Sequence, residues 1–249
     1  MLKRSFLLLL LLFIFQHAAY AVEINGAAGA SELFPGVKST ALAEPLKAFV
    51  YLTLLSVMPS LLVATTSFLR IIIVLSMLRH AIGMQDTPPN VALISIGLFL
   101  TLFSMQPVFT QVINNAWQPF NNNQIGFSTA FNEAQKPFRD FMLHNIKERD
   151  LQLMYEVSNE EPPEMVEDVS ILKVIPAFML SELKTAFQIG FMIFLPFLLV
   201  DIIVASILSS LGMMMVPPVT IALPLKVLMF ILIDGWNLVV KALMASFAL

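Results

Sequence analysis

The chain has 249 residues, of which 58% are hydrophobic and only 12% are charged. Soluble domains usually contain about 25% charged residues, so this composition indicates an integral membrane protein or a subunit buried in an apolar assembly. The formal net charge of -3 gives no basis for nucleic-acid binding, and the absence of cysteine excludes disulfides, thiolate zinc sites and cysteine nucleophiles.

The sequence contains no catalytic motif that we could identify. Its three histidines, at positions 17, 80 and 144, have no partner at metal-ligand spacing. Motifs for metalloproteases, serine hydrolases, phosphate-binding loops and dinucleotide binding do not occur. We therefore predict that the chain is not an enzyme and holds no metal or cofactor.

Residues 1–21 resemble a secretory signal peptide. Lys3 and Arg4 precede an apolar run at 6–15, and the sequence AYA at 19–21 is a small-x-small cleavage site. We predict cleavage after Ala21, which places the following residues on the outer side of a membrane. Residues 22–45, rich in Ala, Gly and Ser, are predicted to form a flexible leader.

Residues 46–109 are predicted to form a first apolar helical hairpin. A helix over the whole of 46–78 would be about 50 Å long, beyond the roughly 30 Å hydrocarbon core. We therefore expect either a break at Pro59 or a helix that leaves the bilayer. The sequence GMQDTPP at 83–89 ends the first arm, and 91–107 forms the second.

Residues 110–185 are predicted to form a polar, partly helical insert. Apolar residues recur at helical spacing over 129–155, which indicates one amphipathic helix with Ser128 as a candidate N-cap. The signal peptide and an even number of spans place this insert on the outer side of the membrane.

Residues 186–249 are predicted to form a second apolar hairpin, whose tip is the sequence GMMMVPP at 212–218. A water-facing turn usually contains Asn, Asp, Ser or Gly, whereas this one holds Met213, Met214 and Met215. Two interpretations remain open: a tip buried against other protein, or a deformable constriction in a pore.

The two hairpin breaks share the pattern GMxxxPP. Glycine that ends a helix and proline that blocks one recur at many hairpins, which is the simpler explanation. Alternatively, the two hairpins form an internal repeat.

Several charged residues lie within or beside the apolar arms, and an ionised group at bilayer depth costs at least about 3 kcal/mol unless it is paired or hydrated. Each is therefore a candidate functional or assembly residue: Glu182, Asp201, Lys226, Asp234 and Lys241. On one continuous helix, Lys226, Asp234 and Lys241 would share a face about 80° wide.

Three stretches carry a family resemblance. They are TTSFLR (65–70) on to TPPN (87–90), PAFMLSELK (176–184) on to Gly190, and PLK (224–226) on to DGW (234–236). They resemble the FliP family, whose members are core subunits of the flagellar type III export gate. Virulence secretion systems carry close relatives, and the signal peptide favours the flagellar members.

The resemblance implies a subunit without chemistry of its own. It implies a ring of five copies joined by FliQ and FliR type subunits and other export-apparatus membrane proteins. It further implies an inner-membrane, flagellar basal-body location, raised toward the periplasmic side, and unfolded flagellar proteins as cargo. The methionine tip, Met213 to Met215, matches the family's pore-lining loop.

From these patterns we predict an all-α, membrane-associated protein that assembles into a helical or ring-like oligomer. We hypothesise that Glu182 and Lys226 pair between neighbouring subunits, and that Arg70, Asp201 and Asp234 make buried polar assembly contacts. A secondary transporter or ion channel would also place charges in apolar helices. An intramembrane enzyme would have to rely on Asp201 and Asp234.

Overall fold

A computed structural model describes residues 43–161, 163, 169–213 and 215–247. The regular structure in these residues is helical throughout, which confirms the all-α prediction. The predicted cleavage site at Ala21 and nearly all of the leader lie outside them. The helices are α1 (Ala43–Thr65), α2 (Phe68–Ile82), α3 (Asn90–Ser104), α4 (Gln106–Val112), a π-helical turn (Ile113–Trp117), α5 (Gln118–Asn121), α6 (Phe127–Asn145), α7 (Glu148–Ser158), α8 (Ile171–Ser210), α9 (Pro218–Leu232) and α10 (Gly235–Ala245).

Helix α8 is the central helix, against which most of the other long helices pack. It has 40 residues, a length of about 60 Å at 1.5 Å per residue, which is about twice the thickness of a hydrocarbon core. Helices α1, α2, α6, α7 and α9 all pack against it. It also crosses the predicted boundary between insert and second hairpin at 185/186, so these two regions share one continuous helix.

The hydrophobic core lies mainly between α2 and α8, which make the most extensive helix–helix contact. The buried residues of α2 recur at the three- and four-residue spacing of one helical face. They face buried residues of α8, with α6 closing one side. The principal members are Ile71, Val74, Leu75 and Leu78 from α2, Val174, Phe178 and Ala186 from α8, and Phe141 and Met142 from α6.

The first arm does not break at Pro59. Helix α1 runs through this proline to Thr65, and the break falls at Thr66 and Ser67. A proline removes one backbone hydrogen bond, which a helix can survive. At the actual break, Thr66 Oγ1 donates to the Leu62 carbonyl oxygen at 2.6 Å, a local alternative to continued helix pairing.

The amphipathic segment forms two helices where one was predicted. Helix α6 ends at Asn145 and α7 begins at Glu148, while Ile146 and Lys147 have extended backbone angles. Ser128 is not the N-cap, since α6 already begins at Phe127 after an extended Gly126. The corner is held by a tertiary contact, in which the Lys147 N–H donates to Ser181 Oγ at 2.9 Å.

The second arm of the second hairpin also breaks. Helix α9 ends at Leu232, and α10 leaves it at an angle of 66° after Asp234, which has a φ of 51°. The shared face predicted for Lys226, Asp234 and Lys241 assumed one straight helix and is therefore wrong.

The two GMxxxPP breaks have similar ends. Gly83 and Gly212 both adopt a left-handed backbone, with φ of 94° and 71°, which favours glycine. Helix α3 begins just after Pro89, and α9 just after Pro217. The two helix stops thus follow the same local rule, while a true internal repeat remains a hypothesis.

Two described helices are long and apolar enough to cross a membrane: the part of α1 from Ala48 to Thr65, and α8. Two further spans result if each bent pair counts as one, namely α3 with the segment Gln106–Asn121, and α9 with α10. The membrane character expected from composition therefore resides in identified helices.

Candidate functional site: the methionine tip and the buried charges

The methionine tip follows directly from the end of α8. The amides of Leu211, Gly212 and Met213 donate to the last carbonyls of the helix at 3.0–3.1 Å, so the chain turns with its backbone satisfied. Pro217 then sets the start of α9. Met213 is 44% exposed and Met215 is 98% exposed, whereas Met214 lies outside the described residues. Met213 and Met215 are therefore apolar side chains that the described part of the chain leaves exposed.

A second cluster surrounds Arg70, which is 2% exposed in the middle of the helix packing. Arg70 Nε donates to Glu182 Oε2 at 2.8 Å, and Nη2 donates to Glu182 Oε1. Asn145 Oδ1 accepts from Nη2 at 3.4 Å. Ser246 accepts from Nη1 through its carbonyl oxygen at 2.6 Å and through Oγ at 3.0 Å. The bidentate geometry suits a planar guanidinium buried beside a carboxylate.

A third cluster joins the second hairpin to α2. Lys226 Nζ on α9 donates to Asp201 Oδ2 on α8 at 2.7 Å and to the Ala81 carbonyl oxygen at 3.3 Å. The Lys226 side chain is only 8% exposed, whereas that of Asp201 is 34% exposed. Lysine near a helix C-terminus satisfies carbonyls that have no partner within the helix. This pair therefore fixes α9 against both α8 and the end of α2.

A fourth cluster lies at the corner between α6 and α7. Asp150 is buried, Ser181 Oγ donates to its Oδ2 at 2.7 Å, and Lys184 Nζ donates to its Oδ1. Burial alone would raise the pKa of this carboxyl. Hydrogen bonds from Lys184 and Ser181, with the charges of Lys184 and Lys147, outweigh it, so the pKa of Asp150 lies below its ordinary value of 3.8.

The comparisons with known proteins agree with one another. The FliP family profile matches residues 51–243 of this chain. Three relatives are each named flagellar biosynthetic protein FliP. That of Bacillus subtilis is 46% identical over 205 residues, covering 82% of this chain and 93% of its own length. That of Pectobacterium carotovorum is 48% identical over 198 residues, covering 80% and 77%, and that of Rhizobium meliloti is 41% identical over 234 residues, covering 91% and 95%.

The chain belongs to the FliP family. The resemblance noted in the signature stretches is thereby confirmed. The region matched to the FliP profile contains the methionine tip and the cluster residues Arg70, Asp150, Glu182 and Lys226, whereas Ser246 lies just beyond its end.

The structure does not bring Glu182 and Lys226 together. Each has a different partner inside its own chain, Arg70 for Glu182 and Asp201 for Lys226. These partners remove, within a single chain, the burial penalty that motivated the hypothesis. Pairing of the two between subunits stays a prediction.

The remaining predicted residues divide into two groups. Arg70 and Asp201 are engaged within the chain, so their role as contacts between subunits stays a prediction. Asp234 is exposed in the single chain, where its Oδ2 accepts from Asn237 Nδ2 at 2.9 Å. Its predicted role as a buried assembly contact likewise stays a prediction.

Sequence reasoning missed Asp150 and Ser246. Asp150 was placed inside one long amphipathic helix, where an acid suggests only a solvated face. Its position in the first turn of α7 could have been recognised had the corner been predicted. Nothing in the local sequence indicates that Ser246 meets Arg70, 176 residues away. Among the described residues, no group of His, Asp and Glu side chains could hold a metal ion.

Proposed function

We propose that this chain is the core pore-forming subunit of the flagellar type III protein export gate. In this proposal, five copies assemble with FliQ and FliR type subunits in the bacterial inner membrane, with much of the assembly toward the periplasmic side. The gate passes unfolded flagellar proteins for flagellum assembly, and the chain itself performs no catalytic step. The flagellar names of the FliP relatives support this system over a virulence system.

The observation that carries the pore proposal is the exposed methionine tip between α8 and α9. Met215 is 98% exposed, at the end of two apolar helices, where a single chain offers it no packing partner. Copies of the same tip around a ring would supply that partner. Methionine has three flexible torsions and an apolar thioether, so a ring of such side chains can close and also rearrange. An apolar constriction also holds back ions by excluding water.

The test replaces Met213, Met214 and Met215 together by Ala. We expect the gate complex to assemble, because the backbone turn is set by Gly212 and Pro217, but to leak ions and small solutes. Membrane conductance and small-solute uptake are measured in cells making the altered gate, and the complex is purified to verify assembly.

The control is Met192→Ala, which removes another exposed methionine (72% exposed) from the side of α8. This control should leave the leak at its original level. An assembled triple-Ala complex with an unchanged leak would mean that the tip is only hairpin packing. A chain that transports a small solute without partners would instead support the transporter alternative.

A further inference from the structure

The segment that follows α10 completes the coordination of Arg70. A guanidinium carries five N–H donors, and all have acceptors here. Glu182 accepts two, Asn145 accepts one, and Ser246 accepts two at Nη1. Without Ser246, the Nη1 end of a buried cation would lack protein acceptors.

Phe247 covers the same guanidinium. The Arg70 Cζ lies 4.0 Å from the centroid of the Phe247 ring, a cation–π arrangement. Phe247 is 5% exposed, and Leu243, one helical turn earlier, is fully buried. The ring therefore shields the Arg70–Glu182 pair from water in addition to packing against the core.

The Ser246 hydroxyl is held in a fixed orientation. Its Oγ donates to the Leu243 carbonyl oxygen at 2.7 Å, so its lone pairs are available to Arg70. The Ser246 amide also donates to the carbonyls of Ala242 and Leu243, each at 3.1 Å. The end of α10 thus presents both Ser246 oxygens toward one point.

We propose that Ser246 and Phe247 are positioning residues for the Arg70–Glu182 pair. They hold the guanidinium in register with the carboxylate, and through it they fix the N-terminal third of α8 against α2 and against Asn145 at the end of α6. The segment after α10 thereby stabilises, through Arg70, the packing of α2, α6 and α8, with which α10 itself has little contact. This inference goes beyond the proposed pore and does not depend on it.

The test measures amide hydrogen exchange in the purified complex, by mass spectrometry, for Ser246→Ala and Phe247→Leu. We expect amide exchange at 178–184 and at 145–147 to become about tenfold faster. Removing a hydrogen bond from the buried Arg70 cation should loosen the helix segments that Arg70 holds together. Ser246→Thr, which keeps the hydroxyl, should restore the original exchange. Phe131→Leu is the control, since Phe131 is 56% exposed and remote from Arg70 in sequence.

A faster exchange confined to 242–247 would overturn the proposal, because it would show simple fraying of α10. Equal exchange in Ser246→Ala and Ser246→Thr would overturn it as well. If Phe247→Leu yields no folded protein, the comparison of Ser246→Ala with Ser246→Thr still tests the proposal. This experiment measures helix packing, whereas the pore experiment measures leakage. Failure of the present proposal is therefore distinguishable from failure of the pore proposal.

Discussion

At the scale of single residues, the two buried cations of the apolar helices, Arg70 and Lys226, are paired within the chain. Arg70 has a bidentate carboxylate partner, and Lys226 combines a carboxylate with a helix-end carbonyl. A buried ion pair gives little net stability by itself, since desolvation offsets the attraction, but removing one partner is costly. These pairs therefore specify which helices pack together more than they strengthen the packing.

The Asp150 cluster makes a prediction about pH. Because the pKa of Asp150 is lowered in the folded chain, its ionised form stabilises the fold at pH values above about 4 and loses this effect as pH falls below 3.8 through the folded pKa. Asp150→Asn should lower the free energy of unfolding by about 1–3 kcal/mol at pH 7. The lower half of that range is expected, because the Lys184 side chain is 49% exposed.

Thermal unfolding in mild detergent, followed from pH 7 to pH 3, checks this expectation. The difference between the parent chain and Asp150→Asn should shrink toward the acidic end of the range. Asp140→Asn, which changes an exposed carboxylate on α6, is the control and should have little effect. A difference that stays constant down to pH 3 would contradict a stabilising role for the ionised Asp150.

At the scale of elements, the close approach of α2 and α8 depends on one glycine. A Cβ added at Gly190 would lie 2.3 Å from Met77 Sδ and 3.1 Å from Met77 Cβ. Part of this contact can relax, since the end of a methionine side chain is flexible. The Met77 Cβ cannot move away without shifting α2. Gly190 therefore allows the two helices to cross with the Met77 side chain between them.

We predict that Gly190→Val lowers the free energy of unfolding by about 1–3 kcal/mol through overpacking. Adding Met77→Ala should restore part of the loss, because the smaller side chain makes room for the added methyl groups. Chemical denaturation of the purified complex measures both variants. Gly126→Ala is the control, since a Cβ there would meet nothing within 4 Å. Parental stability in Gly190→Val would rule out a tight crossing at this point.

At the scale of the whole molecule, a single chain leaves a large apolar surface uncovered. Helix α1 exposes Phe49 (67%) and Leu52 (62%), and α3 exposes Val91 (76%) and Phe99 (74%). Lipid can cover part of such a surface. With 40 residues, α8 is about 60 Å long and exceeds one bilayer core, so we infer that some of its exposed apolar side chains have protein neighbours.

We predict that the chain purifies in mild detergent as a ring-like oligomer with other membrane proteins bound. Native mass spectrometry and electron-microscopy class averages of the purified complex measure its composition and symmetry. Expression without the partner proteins is the comparison, and it should yield smaller or heterogeneous assemblies. A stable, functional monomer would contradict the prediction.

The amino-acid sequence by itself determined the helical class, the apolar arms and the family. These features are local or repeat at short spacing: hydrophobic runs, glycine before proline at a helix break, and three long signature stretches. The position of the methionine tip was also predictable, because a glycine that ends one helix and a proline that begins the next are a common signal for a helix break.

Only the tertiary structure decided where α1 ends, where α6 and α7 divide, and which charges pair. The division at Ile146 and Lys147 depends on Ser181, which meets the Lys147 amide from another helix. Glu182 pairs with Arg70 rather than Lys226 because α8 packs against α2 at that level. Helical periodicity indicates which side of a helix is apolar, but the partner of a charge on that side is set by which helices meet and at what depth.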